Sequence, residues 1–186
     1  MTGKHIRLEP LALSHAEDLW RHGDEETFRW FQAPPAFPPT VENMREYIAL
    51  ALRQANSEAY AVVLQETGEA VGSTRLFDIR EEHGGAEIGH TWYGAAHRGT
   101  KVNPESKLLL LTEAFEARNY ERVQFKTDLR NLRSQAGLAK LGAVREGVLR
   151  KQMRMHDGYM RDSVYFSILR EEWPAVKALL LERLKD

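Results

Sequence analysis

From Trp92 to Lys107 the chain reads WYGAAHRGTKVNPESK, a basic turn leading into the apolar run Leu108–Leu111. A helix that starts here presents unpaired backbone N–H groups and the positive end of its dipole, a combination that attracts anions and phosphates above all. Pro104 suits the first helical position and Asn103 the cap. Arg98, Lys101 and Lys107 would then surround the mouth with positive charge, and a diphosphate fits such a place. The motif is neither a P-loop, since GxxxxGK[ST] is absent, nor a Rossmann fingerprint, since the glycines of GxGxxG are missing. Spacing alone describes a capped helix with solvated basic residues equally well.

Two further groups carry chemistry. Asn131 and Ser134, in NLRS, stand at a strand-to-helix junction, where Asn is also an ordinary cap. Glu87 and His90 lie on one strand, and either could accept a proton. Period-two alternation puts them on opposite faces, so only one enters a shared site, and Glu87 is preferred. Its plain alternative is a carboxylate paired with an Arg at the sheet surface. His83, His90 and His97 recur every seven residues, but they fall on a turn, a strand and a loop, with no i, i+4 pair on one helix, so no metal is expected. Tyr159 and Tyr165 read as strand packing.

These residues need elements to hold them. HIRLEPL alternates as a first strand; Ser14 with Glu17 reads as a capping box opening a short helix through Leu19 and Trp20. FQAPPAFPPT, with four of the seven prolines, excludes helix and predicts an extended loop. Thr40 caps a second helix with Val41, Met44, Ile48, Ala51 and Leu52 on one face. Strands AYAVVLQ, AVGSTRLFDI and AEIGHTW follow, joined by short turns and therefore antiparallel. Helix 104–118, strand RVQFKTD, helix 131–141 ending at Gly142, the hairpin VREGVLRKQMRM/YMRDSVYFSIL and a terminal helix complete the order βααβββαβαββα.

The 186 residues fit a single domain, 1–186, able to bury roughly 70% of its unfolded surface. The absence of cysteine excludes disulfides, a thiolate zinc site and a cysteine nucleophile, and it fits a reducing, cytoplasmic setting. With 26 basic and 27 acidic residues, a net charge of -1 gives no field that would attract nucleic acid, and any anion site must be local. No apolar run is long enough to span a membrane, and the opening MTGKHIRLEPL has no apolar signal core.

The element order, with AEIGHTW feeding HRGTKVN and a helix, resembles the GNAT superfamily of acetyl-CoA-dependent N-acetyltransferases. RGTKVNPESK, NLRS, KLGAVREGVLR and DSVYFSILREEW resemble its RimJ/RimL-like branch, which acetylates N-termini of ribosomal proteins. The likeness covers nearly the whole chain and is strongest from Glu87 to Trp173. It implies an α/β (α+β) fold with antiparallel N-terminal strands in a mixed central sheet and flanking helices. A splayed parallel pair of strands would admit the pantetheine arm of acetyl-CoA, and the loop would grip the diphosphate. Cofactor-binding positions become Trp92, Arg98, Gly99, Thr100, Lys101, Val102, Asn103, Lys107 and Asn131. Ser134 becomes the donor to the departing thiolate and Glu87 the base, with the oxyanion donor a backbone N–H between His90 and Tyr93.

The family's loop runs Arg or Gln, two residues, Gly, one residue, Gly or Ala. Here Lys101 and Asn103 replace the glycines, at an expected strain of about 1 kcal/mol for Lys if positive φ is needed. The Glu that serves as base past the hairpin's EG in some relatives is not carried over, because Gln152, Met153 and Arg154 stand there. The implied acceptor is a primary amine, with a protein N-terminus, an amino sugar, a polyamine or a free amino acid open as alternatives, and a homodimer through the closing hairpin is a further expectation. A CoA-binding module without turnover is the competing expectation.

Overall fold

The computed structural model describes residues 1–36 and 40–185. The part of the proline-rich stretch at 37–39 lies outside the described residues. The chain runs β1 (Ile6–Pro10), α1 (Ala16–His22), α2 (Glu25–Phe28), α3 (Val41–Arg53), β2 (Ser57–Leu64), β3 (Ala70–Arg80), β4 (Gly85–Tyr93), α4 (Val102–Thr112), β5 (Arg122–Asp128), α5 (Leu132–Leu141), β6 (Val144–Arg154), β7 (Met160–Leu169) and α6 (Trp173–Leu184). One sheet holds all seven strands in the order β1-β2-β3-β4-β5-β7-β6, antiparallel except for β4 with β5.

Alternation along the strands sorts side chains onto two faces. Ala86, Ile88, Val123, Phe125, Val164, Phe166 and Ile168 join residues of α4, α5 and α6 in one core. Ala59, Ala61, Val63 and Trp92 pack with α1 and α3 in the other, where Met44, Ile48 and Ala51 are buried as the amphipathic pattern requires. Leu52, expected on that face, is exposed. Among the described residues no helix of this second core covers the sheet beyond β4, which leaves the face of β5 and β7 that carries Lys126 and Tyr165 outside both cores.

Local details depart from expectation in three places. Ser14 forms no capping box: it lies in a short 3-10 turn, and Ala12 N–H donates to His15 Nδ1 at 3.0 Å. The four-residue α2 was not foreseen; it is capped by Asp24, which accepts from Thr27 N–H at 2.6 Å. Helix 104–118 begins earlier, at Val102, and passes at Glu113 into a π-helical turn ending at Ala117. The cap is therefore Lys101, not Asn103, and Pro104 sits at the third helical position, where a missing N–H is still harmless. By contrast, Thr40 accepts from Asn43 N–H at 3.0 Å, and Gly142 ends α5 with φ 95, both as expected.

Buried Glu105 fastens α4 to the first strand. Its carboxylate accepts the backbone N–H groups of Lys4, His5 and Ile6 at 2.6, 2.8 and 2.7 Å. The helix whose N-terminus forms the anion mouth is thereby fixed to the far edge of the sheet.

Candidate functional site

A β-bulge shapes the site. Gly89 stands opposite Arg75 and Trp92 opposite Ser73, so His90 and Thr91 together face the single residue Thr74. His90 takes φ 48, a left-handed conformation that a bulge can impose at a cost. The extra residue resets alternation. Glu87 pairs in register with Phe77, and His90 meets the same Phe77 ring edge-on at 5.0 Å, so Glu87 and His90 share a face. The expectation of opposite faces fails because simple period two does not survive an inserted residue.

The bulge also turns β4 away from β5. Their ladder comprises Gly85, Ala86 and Glu87 against Arg122, Val123 and Gln124, and stops there. Past it, Ile88–Tyr93 and Phe125–Asp128 form the walls of a cleft of about 690 Å3, within the range of small-molecule sites. The strands splay as the resemblance implied.

At one mouth lies the basic loop. Gly99 holds the positive φ, 77, with nothing within 4 Å of where a Cβ would stand. Lys101 is helical, φ -66 and ψ -14, and Asn103 is inside α4. The strain expected at Lys101 is absent, because the left-handed residue falls two positions earlier, on a glycine. Arg98 is tied inward: Nε donates to Tyr93 O at 3.1 Å, and one terminal nitrogen reaches Asp24 at 3.4 Å and the hydroxyl of Thr27. It thus braces α2 against the loop. The Asn103 amide oxygen accepts from Tyr93 OH at 3.2 Å.

Lys107 differs from its expected place at the rim. It is only 8% exposed, its Nζ donates to Thr91 Oγ1 at 3.1 Å, and it lies 5.7 Å from the Phe125 ring centre. Burial pushes its pKa down to about 7. The helical spacing to Leu110 and Leu111, three and four residues on, was the signal for this burial. Asn131 caps α5 by accepting Ser134 N–H at 3.0 Å, and both side chains line the cleft beside Arg98, Gly99, Thr100 and Asn103.

On the other face, Glu87 is 3% exposed; Gln124 Nε2 donates to its Oε2 at 2.9 Å and Lys126 Nζ lies 3.4 Å from Oε1. Its partner is a Lys rather than the Arg considered from sequence. His90 is held uncharged: burial first, then the cations Arg75, Lys126 and Arg161, push its pKa down to about 3. Trp30 and Phe31, from the turn after α2, close this side together with Phe77. Lys126 and Arg161, on the paired strands β5 and β7, and Trp30 and Phe31, on the turn after α2, were not foreseen, since residues brought together from separate elements leave no local pattern. The three histidines of the seven-residue spacing sit on a 3-10 turn, the bulge and a second 3-10 turn.

A mixed seven-stranded sheet, split between two parallel strands with a helix mouth at the split, is the architecture of a GNAT-type transferase. Residues 5–144 match the acetyltransferase (GNAT) domain, and the chain belongs to that family. It is 44% identical to a protein of T. thermophilus that is described, without an established activity, as an acetyltransferase. That likeness covers 100% of this chain and 96% of the other, with a TM-score of 0.93. A GCN5-related N-acetyltransferase from Brucella melitensis is 26% identical over 97% of this chain and 83% of its own, with a TM-score of 0.90. The uncharacterized N-acetyltransferase p20 of Bacillus licheniformis is 25% identical over 172 residues, 91% of this chain and 96% of that protein.

Proposed function

We propose that the protein transfers the acetyl group of acetyl-CoA to a primary amine by direct attack. The observation that carries this reading is the break in the β4–β5 ladder after Glu87 and Gln124, which leaves a strand edge facing an open cleft. Backbone N–H and C=O groups on such an edge suit an amide-bearing arm that lies along it like a strand. The loop Arg98–Asn103 and the first turn of α4 supply amide donors for a diphosphate, with Lys101 as a nearby cation.

In the reaction the neutral amine nitrogen forms a bond to the thioester carbonyl. The tetrahedral oxyanion is stabilised by a backbone N–H near the bulge, and its collapse breaks the C–S bond. The amine loses one proton and the CoA thiolate gains one. Ser134 stands on the cofactor side of the cleft as the candidate donor to sulfur, and Glu87 on the acceptor side as the candidate acceptor from nitrogen through water. Trp92 packs in the second core, and in this reading it supports the strand carrying the oxyanion donor.

The acceptor proposed from family likeness is a protein N-terminus, including that of a ribosomal protein. A CoA-binding module without turnover drew on Lys101 and on the missing hairpin Glu; the strain at Lys101 is absent, while Gln152, Met153 and Arg154 still stand where that Glu would be. Native mass spectrometry with added CoA tests cofactor binding, with a one-to-one complex expected. Glu87→Gln and Ser134→Ala should each lower kcat about 10²-fold, the lower end for acid–base groups, with little change in CoA affinity. Unchanged kcat in both variants would remove the assigned proton roles.

A further inference from the structure

Of four cations on the acceptor face, Lys126 and Arg130 have a carboxylate within ion-pair range, and Arg75 and Arg161 have none among the described residues. Lys126 is matched by Glu87 at 3.4 Å. Arg130 is matched by Asp128, which accepts from its backbone N–H, Nε and a terminal nitrogen at 2.8, 3.0 and 2.8 Å. Arg75, as buried as Arg161, is not among the residues lining the cleft; it gives a terminal nitrogen to Gln54 at 3.1 Å and lies 5.5 Å from the Tyr47 ring. Arg161, from β7, lines the cleft and is only 6% exposed, yet among the described residues it makes one hydrogen bond, from Nε to Ser163 Oγ at 2.9 Å, and no ion pair. Its two terminal nitrogens are without a protein acceptor and are not sealed off from the cleft.

Desolvating a guanidinium without an anion costs free energy, and its planar fork matches a carboxylate bidentately. Ser163 also donates to Gln152 Oε1 at 2.9 Å, so the chain Arg161–Ser163–Gln152 fixes the orientation of the fork. Holding a buried, pre-oriented cation without a partner is reasonable when the partner arrives with the substrate.

We propose that the acceptor amine also carries a carboxylate, and that Arg161 receives that group through its two free terminal nitrogens while Ser163 positions it. The proposal rests on the acetyl-transfer reading for the amine, but the carboxylate contact is separable from turnover. Two sources share this chemistry: the α-carboxylate of a free amino acid and an Asp or Glu side chain near a peptide N-terminus.

Calorimetry on the full chain, with and without CoA, distinguishes them. The probes are free amino acids against their carboxamides, and tripeptides with Asp against Asn at successive positions. The carboxylated member of at least one pair should bind about tenfold or more tightly, a gain typical of a charge-assisted bidentate contact. Binding preference confined to the amino-acid pairs identifies a free α-carboxylate, and preference confined to the Asp tripeptides identifies a peptide. Arg161→Met should erase the preference and Arg161→Lys retain part of it. Ser163→Ala, which keeps the charge but frees its orientation, should reduce it in a protein whose urea midpoint shows it folded. Equal binding within every pair, or a preference that survives Arg161→Met, overturns the proposal. Thiol release is read on the same pairs: turnover without preference rejects the carboxylate contact alone, and preference without any turnover rejects the acetyltransferase reading alone.

Discussion

Gly99 at φ 77 and Lys101 in the helical region divide a task that a loop with two later glycines would arrange differently. Gly99→Ala should cost about 1 kcal/mol through the left-handed backbone and weaken CoA binding in calorimetry. Lys101→Gly should weaken CoA binding slightly, by about 1 kcal/mol or less, because it removes a cation and relieves no strain; tighter binding would show that a glycine was needed there. Lys107 offers a titration. Between about 7 and its ordinary 10.5 the unfolded chain holds the Lys107 proton and the folded chain does not, so unfolding takes up a proton. Stability from this group therefore rises with pH across that window. Urea midpoints at about pH 7 and about pH 9.5 should show the rise in the parent and a smaller one in Lys107→Met. The identity of these residues was legible in sequence, but not their conformations. A glycine fingerprint reports where positive φ is usual, whereas the backbone here meets that need at Gly99 and lets Lys101 cap the helix.

The elements that position the site are set by hydrogen bonds that bridge long sequence distances. Glu105→Ala would leave the N–H groups of Lys4, His5 and Ile6 without their carboxylate. A loss of about 3 kcal/mol or more follows, seen as a thermal midpoint lower by about 6–12 °C. At α5 the cap is local: Asn131→Ala should cost about 1 kcal/mol, and Asn131→Asp should restore most of it in urea unfolding. Strand and helix periodicity made nearly every element readable, down to the limits of β5 and the end of α5. The bulge at His90 was not readable, since two residues opposite one is a property of the pairing with β3, not of β4 alone. That feature brings Glu87 and His90 onto one face beside the cleft, so the arrangement of the candidate site was hidden even though some of the residues lining it were named.

Across the whole molecule a net charge of -1 coexists with a cleft where Lys107, Lys126 and Arg161 are largely buried. Among the described residues no helix is long and apolar enough to cross a membrane. In the proposed reading the donor enters between β4 and β5 from the α4 side, and the acceptor approaches across Phe31, Phe77 and His90. The measurement that tests this most directly is the rate of thiol release from acetyl-CoA with a panel of amines, including N-terminal peptides and amino acids. Saturable release that depends on the amine, accompanied by an acetylated product in mass spectrometry, is the predicted result. A folded protein that raises release with no amine above the rate in buffer would contradict it.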